Sequence, residues 1–191
     1  MQTLPLISKN GHLFAKLDSG LWLIDTGASK SFGNTNSITL AGKSFAVSNR
    51  FKGLSAVTIS EFVGVQCTGL LGVDILRHFD HIFDCTSDKL TISLDELTHN
   101  GKALPISAPI GIPTLTAQVA GNECRMFFDT SAQISYYWDD ALTNFPSGES
   151  TADFYPGYGK FQTETYQVDI SLSGLDFTVC CGILPEVLNV A

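Results

Sequence analysis

The stretches WLIDTGASKSF (residues 22–32) and RMFFDTSAQIS (residues 125–135) decide the fold of this chain of 191 residues. In each of them an apolar run leads into Asp-Thr, a small residue and Ala; the small residue is Gly in the first copy and Ser in the second. Asp25 and Asp129 stand 104 residues apart, close to half the length of the chain. Self-similarity at this spacing indicates an internal duplication.

Further matches between the two halves support the duplication. Each copy follows a strand-turn-strand pattern and precedes a short apolar segment with a glycine, TGLLGVDIL (68–76) or VCCGILPEVL (179–188). This glycine lies 47 residues after the aspartate in the first half and 53 residues after it in the second. A polar, Gly-containing connector at residues 97–102 separates the halves. The sequence therefore predicts an N-terminal lobe over residues 1–96 and a C-terminal lobe over residues 103–191.

Short strand signals dominate both halves. Segments rich in β-branched and aromatic residues with partial alternation are HLFAKLD, LWLID, SFAVSN, SAVTISEFVGV, DKLTISL, PTLTAQVAG, CRMFFDT and TETYQVDISLSG. Turn residues such as KNG, DSG and AGN separate them. Helical periodicity is confined to short segments after Gly72 and Gly182. We therefore predict an all-β fold with one short helix in each lobe.

Composition argues against several kinds of partner and location. The formal net charge is −8, whereas binding to nucleic acid or to an anionic membrane requires a basic face. No apolar run approaches the roughly 18 residues of a membrane span, and residues 1–14 lack the basic and apolar regions of a signal peptide. Five cysteines, two of them adjacent, are typical of reduced thiols. We therefore expect a cytoplasmic protein.

A loose set of potential zinc ligands consists of Cys67, His78, His81 and Cys85. Structural zinc sites usually begin with two ligands only two to four residues apart, and this set does not. Its two histidines also flank the expected end of a helix, where solvated histidines are common. Motifs for phosphate loops, dinucleotide binding and zinc proteases do not occur in the chain. We expect neither a metal nor an organic cofactor.

The duplicated aspartate is suited to the hydrolysis of peptide bonds. A single Asp after a strand is most often a turn or cap residue, but two copies at equivalent positions predict a pair. Two carboxylates about 3 Å apart cannot both ionise, so they share one proton. One then activates water as a base while the other acts as an acid on the carbonyl oxygen or the leaving amine. We expect Asp25 and Asp129 to be this catalytic dyad, presented by two equivalent turns across a pseudo-twofold axis.

An apolar strand ending in Asp-Thr-Gly, followed in the same half by two apolar residues and a glycine, resembles the aspartic peptidase family. The match is closer to the small retropepsin-like lobe than to the pepsin lobe, and it covers nearly the whole chain. The resemblance implies two retropepsin-like lobes in a single chain that is active as a monomer. It assigns interlocked hydrogen bonds between the two turns to Thr26 and Thr130, and support of the dyad also to Gly27 and Ser131.

The resemblance further implies that an extended peptide lies between the lobes and pairs with a Gly-rich hairpin, the flap. In the second half, ADFYPGYGKFQTETYQVDISLSG (152–174) resembles this hairpin, although an ordinary exposed hairpin is the alternative. The first half is shorter in this region and has one glycine there, Gly53, which predicts a truncated flap. The predicted substrate-binding residues are Ala28, Ser29, Ala132, Gly157, Tyr158 and Gly159.

Small residues in the two turns allow predictions about backbone angles and about the protonation of the aspartates. Gly27 is expected to permit unusual backbone angles and the close approach of a substrate. Many pepsin-like enzymes have Ser or Thr where this chain has Ala28 and Ala132. Because Ala cannot donate a hydrogen bond to the carboxylates, we expect the proton to be held to higher pH and activity to peak at mildly acidic or neutral pH. Ser131 either adopts unstrained angles and points its hydroxyl away from the dyad, or crowds the dyad. The same oxygen could bond a carboxylate, which would make Asp129 the more readily ionised aspartate and Asp25 the one that holds the proton.

Two functions therefore stay open. The first is an aspartic endopeptidase that acts on peptides or proteins as a monomer. The second is a catalytically inactive pseudoprotease that binds peptides or serves as a scaffold, and Ser131 together with the truncated first flap favours it. Cleavage assays on Asp→Asn variants separate the two.

Overall fold

The computed structural model describes residues 1–137, 140–156 and 158–188. Among the described residues, strands are far more abundant than helices, so the predicted all-β class is confirmed. The chain divides into two compact units. The first comprises residues 1–103, 107–113 and 127–131, and the second comprises residues 104–106, 114–126 and 132–191.

The division into units differs from the division of the sequence into halves at one point. The long first segment ends at residue 103, close to the predicted connector at residues 97–102. The second aspartate turn, residues 127–131, belongs to the first unit, although it lies in the C-terminal half of the sequence. The physical reason is a set of hydrogen bonds between this turn and the first aspartate turn.

The first unit is built on one mixed sheet. Its elements are β1 (Gln2–Lys9), β2 (His12–Leu17), β3 (Gly20–Ile24), β4 (Phe32–Gly33), β5 (Ser37–Leu40), β6 (Lys43–Ala46), α1 (Ala56–Val63), β7 (Gly69–Leu71), α2 (Val73–Leu76), β8 (Asp80–Asp84) and β9 (Lys89–Ser93). Strands in the main sheet follow the order β4-β7-β3-β2-β1-β9-β8, while β5 and β6 form a separate hairpin.

Alternation of apolar residues along these strands creates the core of the first unit. β1 and β2 pair antiparallel with Leu6 opposite Ala15, and β3 and β7 pair in parallel with Ile24 opposite Leu71. These four side chains and Trp22 are almost completely buried and belong to one cluster. Because β3 lies inside this core, its carboxyl end, where the first aspartate turn begins, is held firmly.

Residues 55–65, predicted as a strand, instead form the helix α1, so this prediction is wrong. The Ser55 hydroxyl caps the helix by accepting a hydrogen bond from the amide three residues on, and Gly64 ends it with a left-handed φ of 65°. The buried side chains follow helical spacing; they are Ala56, Ile59 and Val63. With α2, the first unit therefore has two helices and not the predicted one.

A compact turn occupies the region where the first half was expected to carry a truncated flap. Phe51 and Leu54 exchange backbone hydrogen bonds of 3.0 and 2.9 Å across the residues Lys52 and Gly53. Both turn residues have positive φ, 48° and 82°, which matches the tight turns of two-residue hairpins. The chain then enters α1, so this region contributes a turn and a helix.

The second unit has a smaller mixed sheet. Its elements are β10 (Thr114–Val119), β11 (Asn122–Phe127, with its last residue in the first unit), β12 (Ser135–Tyr136), a 3₁₀ helix (Asp140–Asn144), β13 (Thr151–Tyr155), β14 (Gly159–Thr163), β15 (Thr165–Leu172), β16 (Leu175–Gly182) and a second 3₁₀ helix (Glu186–Leu188). The main sheet has the order β11-β10-β15-β16-β12, in which β12 and β16 pair in parallel, and β13 with β14 forms a hairpin of its own. The helix predicted after Gly182 is a single 3₁₀ turn.

Buried side chains from the sheet and the first 3₁₀ helix form the core of the second unit. They are Ala117, Val119, Leu142, Val168, Ile170 and Cys181. This cluster has fewer members than the main core of the first unit. The second unit therefore rests on a smaller buried apolar surface.

All five cysteines are free thiols, as their odd number and adjacent pair predict. Cys67 and Cys181 are buried, whereas Cys85 is exposed. Within the part of the chain that the structure describes, no helix has the length and apolar character needed to cross a membrane.

Candidate active site

The first aspartate turn continues from two parallel strands. The Asp25 amide extends the ladder between β3 and β7 by donating a hydrogen bond to the Leu71 carbonyl at 2.9 Å. The chain then turns, and the Ala28 amide donates to Asp25 Oδ1 at 2.7 Å. Asp25 is partly buried, and its carboxylate is oriented by a donor from its own turn.

A hydrogen-bond network around Ser31 holds the first turn, and the sequence prediction missed it. Ser31 is buried, and its amide and hydroxyl donate to Asp74 Oδ1 at 2.8 and 2.7 Å. The Ser31 oxygen in turn accepts from the Gly72 amide at 2.9 Å. A Cβ on Gly72 would lie 2.6 Å from the Ala28 carbonyl oxygen, so a side chain does not fit there. The apolar-Gly motif thus packs directly on the backbone of the first turn.

The second aspartate turn is fixed by its own serine. The Phe128 amide donates to the Pro113 carbonyl at 2.8 Å, which places the start of the turn. Ser131 donates twice to Asp129 Oδ1, from its amide at 2.8 Å and from its hydroxyl at 2.9 Å. The hydroxyl therefore binds a carboxylate, as the sequence allowed, and does not point away from the aspartates. Ser131 also lies outside the group of residues with positive φ, so its backbone is unstrained.

Four hydrogen bonds interlock the two turns within the first unit. The Thr26 amide donates to Thr130 Oγ1 at 3.2 Å, and the Thr130 amide donates to Thr26 Oγ1 at 3.0 Å. The Thr26 hydroxyl donates to the Phe128 carbonyl at 2.6 Å, and the Thr130 hydroxyl donates to the Ile24 carbonyl at 2.8 Å. Each threonine therefore plays the same role toward the opposite turn, and the hydrogen bonds between the two turns are symmetric.

The carboxylate of Asp129 lies against the first turn at Gly27. A Cβ built on Gly27 would lie 2.4 Å from Asp129 Oδ2 and 2.7 Å from its Cγ. Such distances are too short for any side chain, so glycine is required here for space. The φ of Gly27 is not positive, and the prediction that this residue supplies unusual backbone angles is therefore wrong.

The proximity of the two aspartates changes their acid-base chemistry. Burial raises the pKa of Asp25 from its ordinary value of 3.8 to about 7, and the negative charge of Asp129 acts in the same direction. Hydrogen bonds from the Ala28 and Gly27 amides partly oppose this rise in the pKa. Asp25 therefore still holds a proton near neutral pH, beside a second carboxylate that can act as a base.

His12 supports the second turn from inside the core, and the sequence prediction missed it as well. Its side chain on β2 is 1% exposed, and its Nδ1 lies 2.7 Å from the Ser131 carbonyl oxygen. Because a carbonyl oxygen can only accept, this hydrogen bond requires a proton on Nδ1. A polar residue at an inward position of a largely apolar strand is the signal that could have revealed such a contact.

The predicted substrate-binding residues next to the turns differ in accessibility. Ala28 is half-buried, because its amide and carbonyl both take part in the network of the first turn. Ser29 is exposed directly beside that turn. Ala132 is exposed and begins the stretch of the second unit that follows Ser131.

The hairpin predicted as the flap is present as β13 and β14 in the second unit. Its last cross-strand pair joins Tyr155 to Gly159. Gly159 has a φ of 104°, which side-chain-bearing residues rarely adopt, so glycine is needed at this position. Tyr158 is exposed, and Gly157 lies outside the described residues.

The second half repeats the first only in part. Gly72 packs on the backbone of an aspartate turn, whereas Gly182 ends a strand. A Cβ at the latter position would meet the side chains of Ile134, Thr163 and Tyr136 at 2.8 to 3.0 Å. The strand β16 pairs with β15 and β12, while β7 pairs with β3 and β4. The two glycine motifs thus share a sequence pattern without sharing an environment.

No protein-family model matches the chain, and a search of curated proteins finds no match either. Among residues 1–137, 140–156 and 158–188, no group of three or more His, Cys, Asp or Glu side chains could hold a metal ion. The structure brings together Asp25, Thr26, Gly27, Asp129, Thr130 and Ser131.

Proposed function

We propose that this protein is an aspartic endopeptidase in which Asp25 and Asp129 form the water-activating dyad. The observation that carries the proposal is the reciprocal hydrogen bonding of Thr26 and Thr130, because it keeps two carboxylate-bearing turns next to each other. The raised pKa of Asp25 supports it further, since a shared proton provides an acid beside a base. A retropepsin-like arrangement of two lobes in one chain is part of this proposal.

In the proposed reaction, water attacks the scissile carbonyl carbon while Asp129 accepts one of its protons. Asp25 donates its own proton to the carbonyl oxygen, which yields a neutral gem-diol. The gem-diol then returns a hydroxyl proton to Asp25, Asp129 passes its proton to the leaving nitrogen, and the C–N bond breaks. The dyad regains its starting protonation state, and one peptide bond and one water have become a carboxylic acid and an amine.

Other residues of the cluster orient the dyad in this reaction. The two hydrogen bonds from Ser131 fix Asp129 Oδ1 and leave Oδ2, which lies against Gly27, as the oxygen aimed at the first turn. The Ala28 amide similarly fixes Asp25 Oδ1. Fixed carboxylates need no reorganisation during proton transfer, which lowers the barrier.

The substrate in this proposal is an extended peptide segment of a peptide or protein. The hairpin of β13 and β14 is the element proposed to bind it through main-chain hydrogen bonds. Because both aspartate turns come from one chain, a monomer suffices for activity. The free thiols support a reducing, cytoplasmic location.

The rival function is a pseudoprotease that binds peptides without cleaving them. Ser131 is one of the two sequence features that favour the pseudoprotease. In the structure its hydroxyl donates to Asp129, its φ is not positive, and it does not crowd the turn. The compact turn at Lys52 and Gly53 remains in its favour, because it leaves the first half without a long hairpin.

Cleavage of a peptide library tests the proposal against this rival. The wild type is compared with Asp25→Asn and Asp129→Asn, with Asp84→Asn as a matched control at the turn between β8 and β9. We expect wild type and the control to cleave, both dyad variants to lose cleavage, and a statine-type inhibitor to block it. Specific peptide binding with no turnover in the wild type would contradict the proposal and support the pseudoprotease.

A further inference from the structure

A single tyrosine connects the hairpin of β13 and β14 to β12, the strand that follows the second aspartate turn in the chain. Tyr136 on β12 donates its hydroxyl to Asp153 Oδ2 on β13. The other carboxylate oxygen, Asp153 Oδ1, accepts from the Phe154 amide at 2.7 Å. Both oxygens of the carboxylate are therefore engaged, one by the hairpin backbone and one by the strand β12.

The ring of Tyr136 contacts the opposite strand of the same hairpin. Its centroid lies 6.2 Å from that of Phe161, and Phe161 is the cross-strand partner of Asp153. Tyr136 thus binds both members of one cross-strand pair, one through its hydroxyl and the other through its ring. Phe161 also meets Tyr158 edge-on at a centroid distance of 6.0 Å, so the contact extends toward the tip of the hairpin.

The environment keeps Tyr136 a hydrogen-bond donor. Tyr136 and Asp153 are both half-buried. Burial raises the pKa of Tyr136 well above its ordinary value of 10, and the hydrogen bond to Asp153 adds to this rise. A phenol that stays protonated beside a carboxylate forms a charge-assisted hydrogen bond, which is stronger than one between neutral groups.

The base of the hairpin is attached by hydrogen bonds that do not involve Tyr136. The Ile183 amide donates to Thr163 Oγ1 at 2.9 Å, and the Thr163 hydroxyl donates to the Ile183 carbonyl at 2.9 Å. Thr163 is the last residue of β14 and is buried. The base thus stays attached if the Tyr136 contact is removed, so that loss affects the position of the hairpin more than its existence.

We propose that Tyr136 and Asp153 are positioning residues that hold the β13–β14 hairpin in the arrangement that binds the peptide substrate. This inference rests on the proposed endopeptidase function. The pair acts through the hairpin. Its loss should therefore weaken substrate binding and leave the chemical step largely unchanged.

The kinetic test uses Tyr136→Phe, which keeps the ring and removes the hydroxyl. We expect KM to rise roughly tenfold, the size expected for one hydrogen bond to a charged acceptor, with kcat changed by less than about twofold. Asp153→Ala should raise KM as much as Tyr136→Phe does. Asp153→Asn, which keeps an acceptor oxygen but not its charge, should raise KM less. The double variant Tyr136→Phe/Asp153→Ala should be no worse than either single variant, because one interaction is lost only once.

Hydrogen–deuterium exchange of residues 151–163 provides a readout that needs no activity. The matched control is Tyr166→Phe, a half-buried tyrosine whose ring packs on the core of the second unit. We expect roughly tenfold faster exchange in the hairpin for Tyr136→Phe and wild-type exchange for the control. Unchanged exchange in Tyr136→Phe overturns the proposal, and so does faster exchange with an unchanged KM. A wild type that cleaves no peptide would refute the proposed function, while the exchange result still decides whether Tyr136 holds the hairpin.

Discussion

Asp25→Asn is expected to stabilise the protein at neutral pH, although it removes half of the proposed dyad. The carboxyl group has its ordinary pKa of 3.8 in the unfolded chain, whereas burial and the charge of Asp129 raise that pKa to about 7 in the folded protein. Between these two values the folded state keeps a proton that the unfolded state has released. The free energy of unfolding therefore falls as the pH rises from about 4 to about 7.

The size of this fall follows from the same two pKa values. One proton changes the free energy of unfolding by roughly 1.4 kcal/mol per pH unit. Between pH 3.8 and about pH 7, the two pKa values of Asp25, the free energy of unfolding therefore falls by an amount on the order of 4 kcal/mol. This is a large share of the roughly 5–15 kcal/mol by which native proteins are stable. Asn carries no charge in either state, so the variant should lack most of this fall.

Urea denaturation of wild type and Asp25→Asn at several values between about pH 4 and pH 8 measures the effect. The control is Asp84→Asn, since hydrogen bonds from Ser87 lower the pKa of Asp84. The stability that Asp84 provides is present above 3.8 and is lost as the pH falls further, so its removal leaves the slope between about pH 4 and pH 7 unchanged. Asp129→Asn should reduce the slope without abolishing it, because burial is the larger cause. Parallel stability curves for wild type and Asp25→Asn would show that the pKa of Asp25 is not raised in the folded protein.

Four further predictions concern the turns. Gly27→Ala places a Cβ 2.4 Å from Asp129 Oδ2 and should lower kcat by roughly a hundredfold through misplacement of the base; wild-type kcat would contradict the assigned contact. Thr130→Val removes two hydrogen bonds and should lower the free energy of unfolding by about 1–3 kcal/mol in urea titrations, whereas Thr130→Ser should lose much less. Ser131→Gly removes the hydroxyl bound to Asp129 and should shift the pH–rate profile; an unchanged profile and activity would exclude a special role for Ser131. The pH–rate maximum of the wild type should be mildly acidic to neutral, and a maximum below about pH 3.5 would contradict the raised pKa of Asp25.

The pairing of the two turns could be predicted because the sequence repeats it. The same Asp-Thr-small-Ala pattern occurs twice at half-chain spacing, and the chemistry of two carboxylates gives the repeat a reason. The hydrogen bonds of Thr26 and Thr130 and the contact of the Ser131 hydroxyl with Asp129 have the partners that this pattern suggests. The high strand content could be predicted for a different reason: β-branched and aromatic residues are common in this chain, and they suit pleated, half-buried surfaces.

The features that could not be predicted depend on the residues that begin and end a helix, or on contacts between residues far apart in the sequence. Residues 57–59, Val-Thr-Ile, favour a strand locally, but the Ser55 cap and the left-handed Gly64 make the segment a helix. The contacts of His12 with Ser131 and of Ser31 with Asp74 join residues 119 and 43 positions apart. Helix and strand patterns repeat every two to four residues, so they give no information about such pairs. The need for glycine at position 27 likewise comes from a side chain 102 residues away in the sequence, and not from its own backbone angle.

The most direct test of the proposed dyad is the initial cleavage rate on one susceptible peptide, measured for wild type, Asp25→Asn, Asp129→Asn and the double variant. If the two aspartates work as one acid-base pair, each single variant should lose roughly 10²- to 10⁴-fold in kcat. The double variant should then be little worse than either single variant, because residues that act as a unit are not additive. Near wild-type cleavage by either single variant would show that the two turns do not form a catalytic dyad.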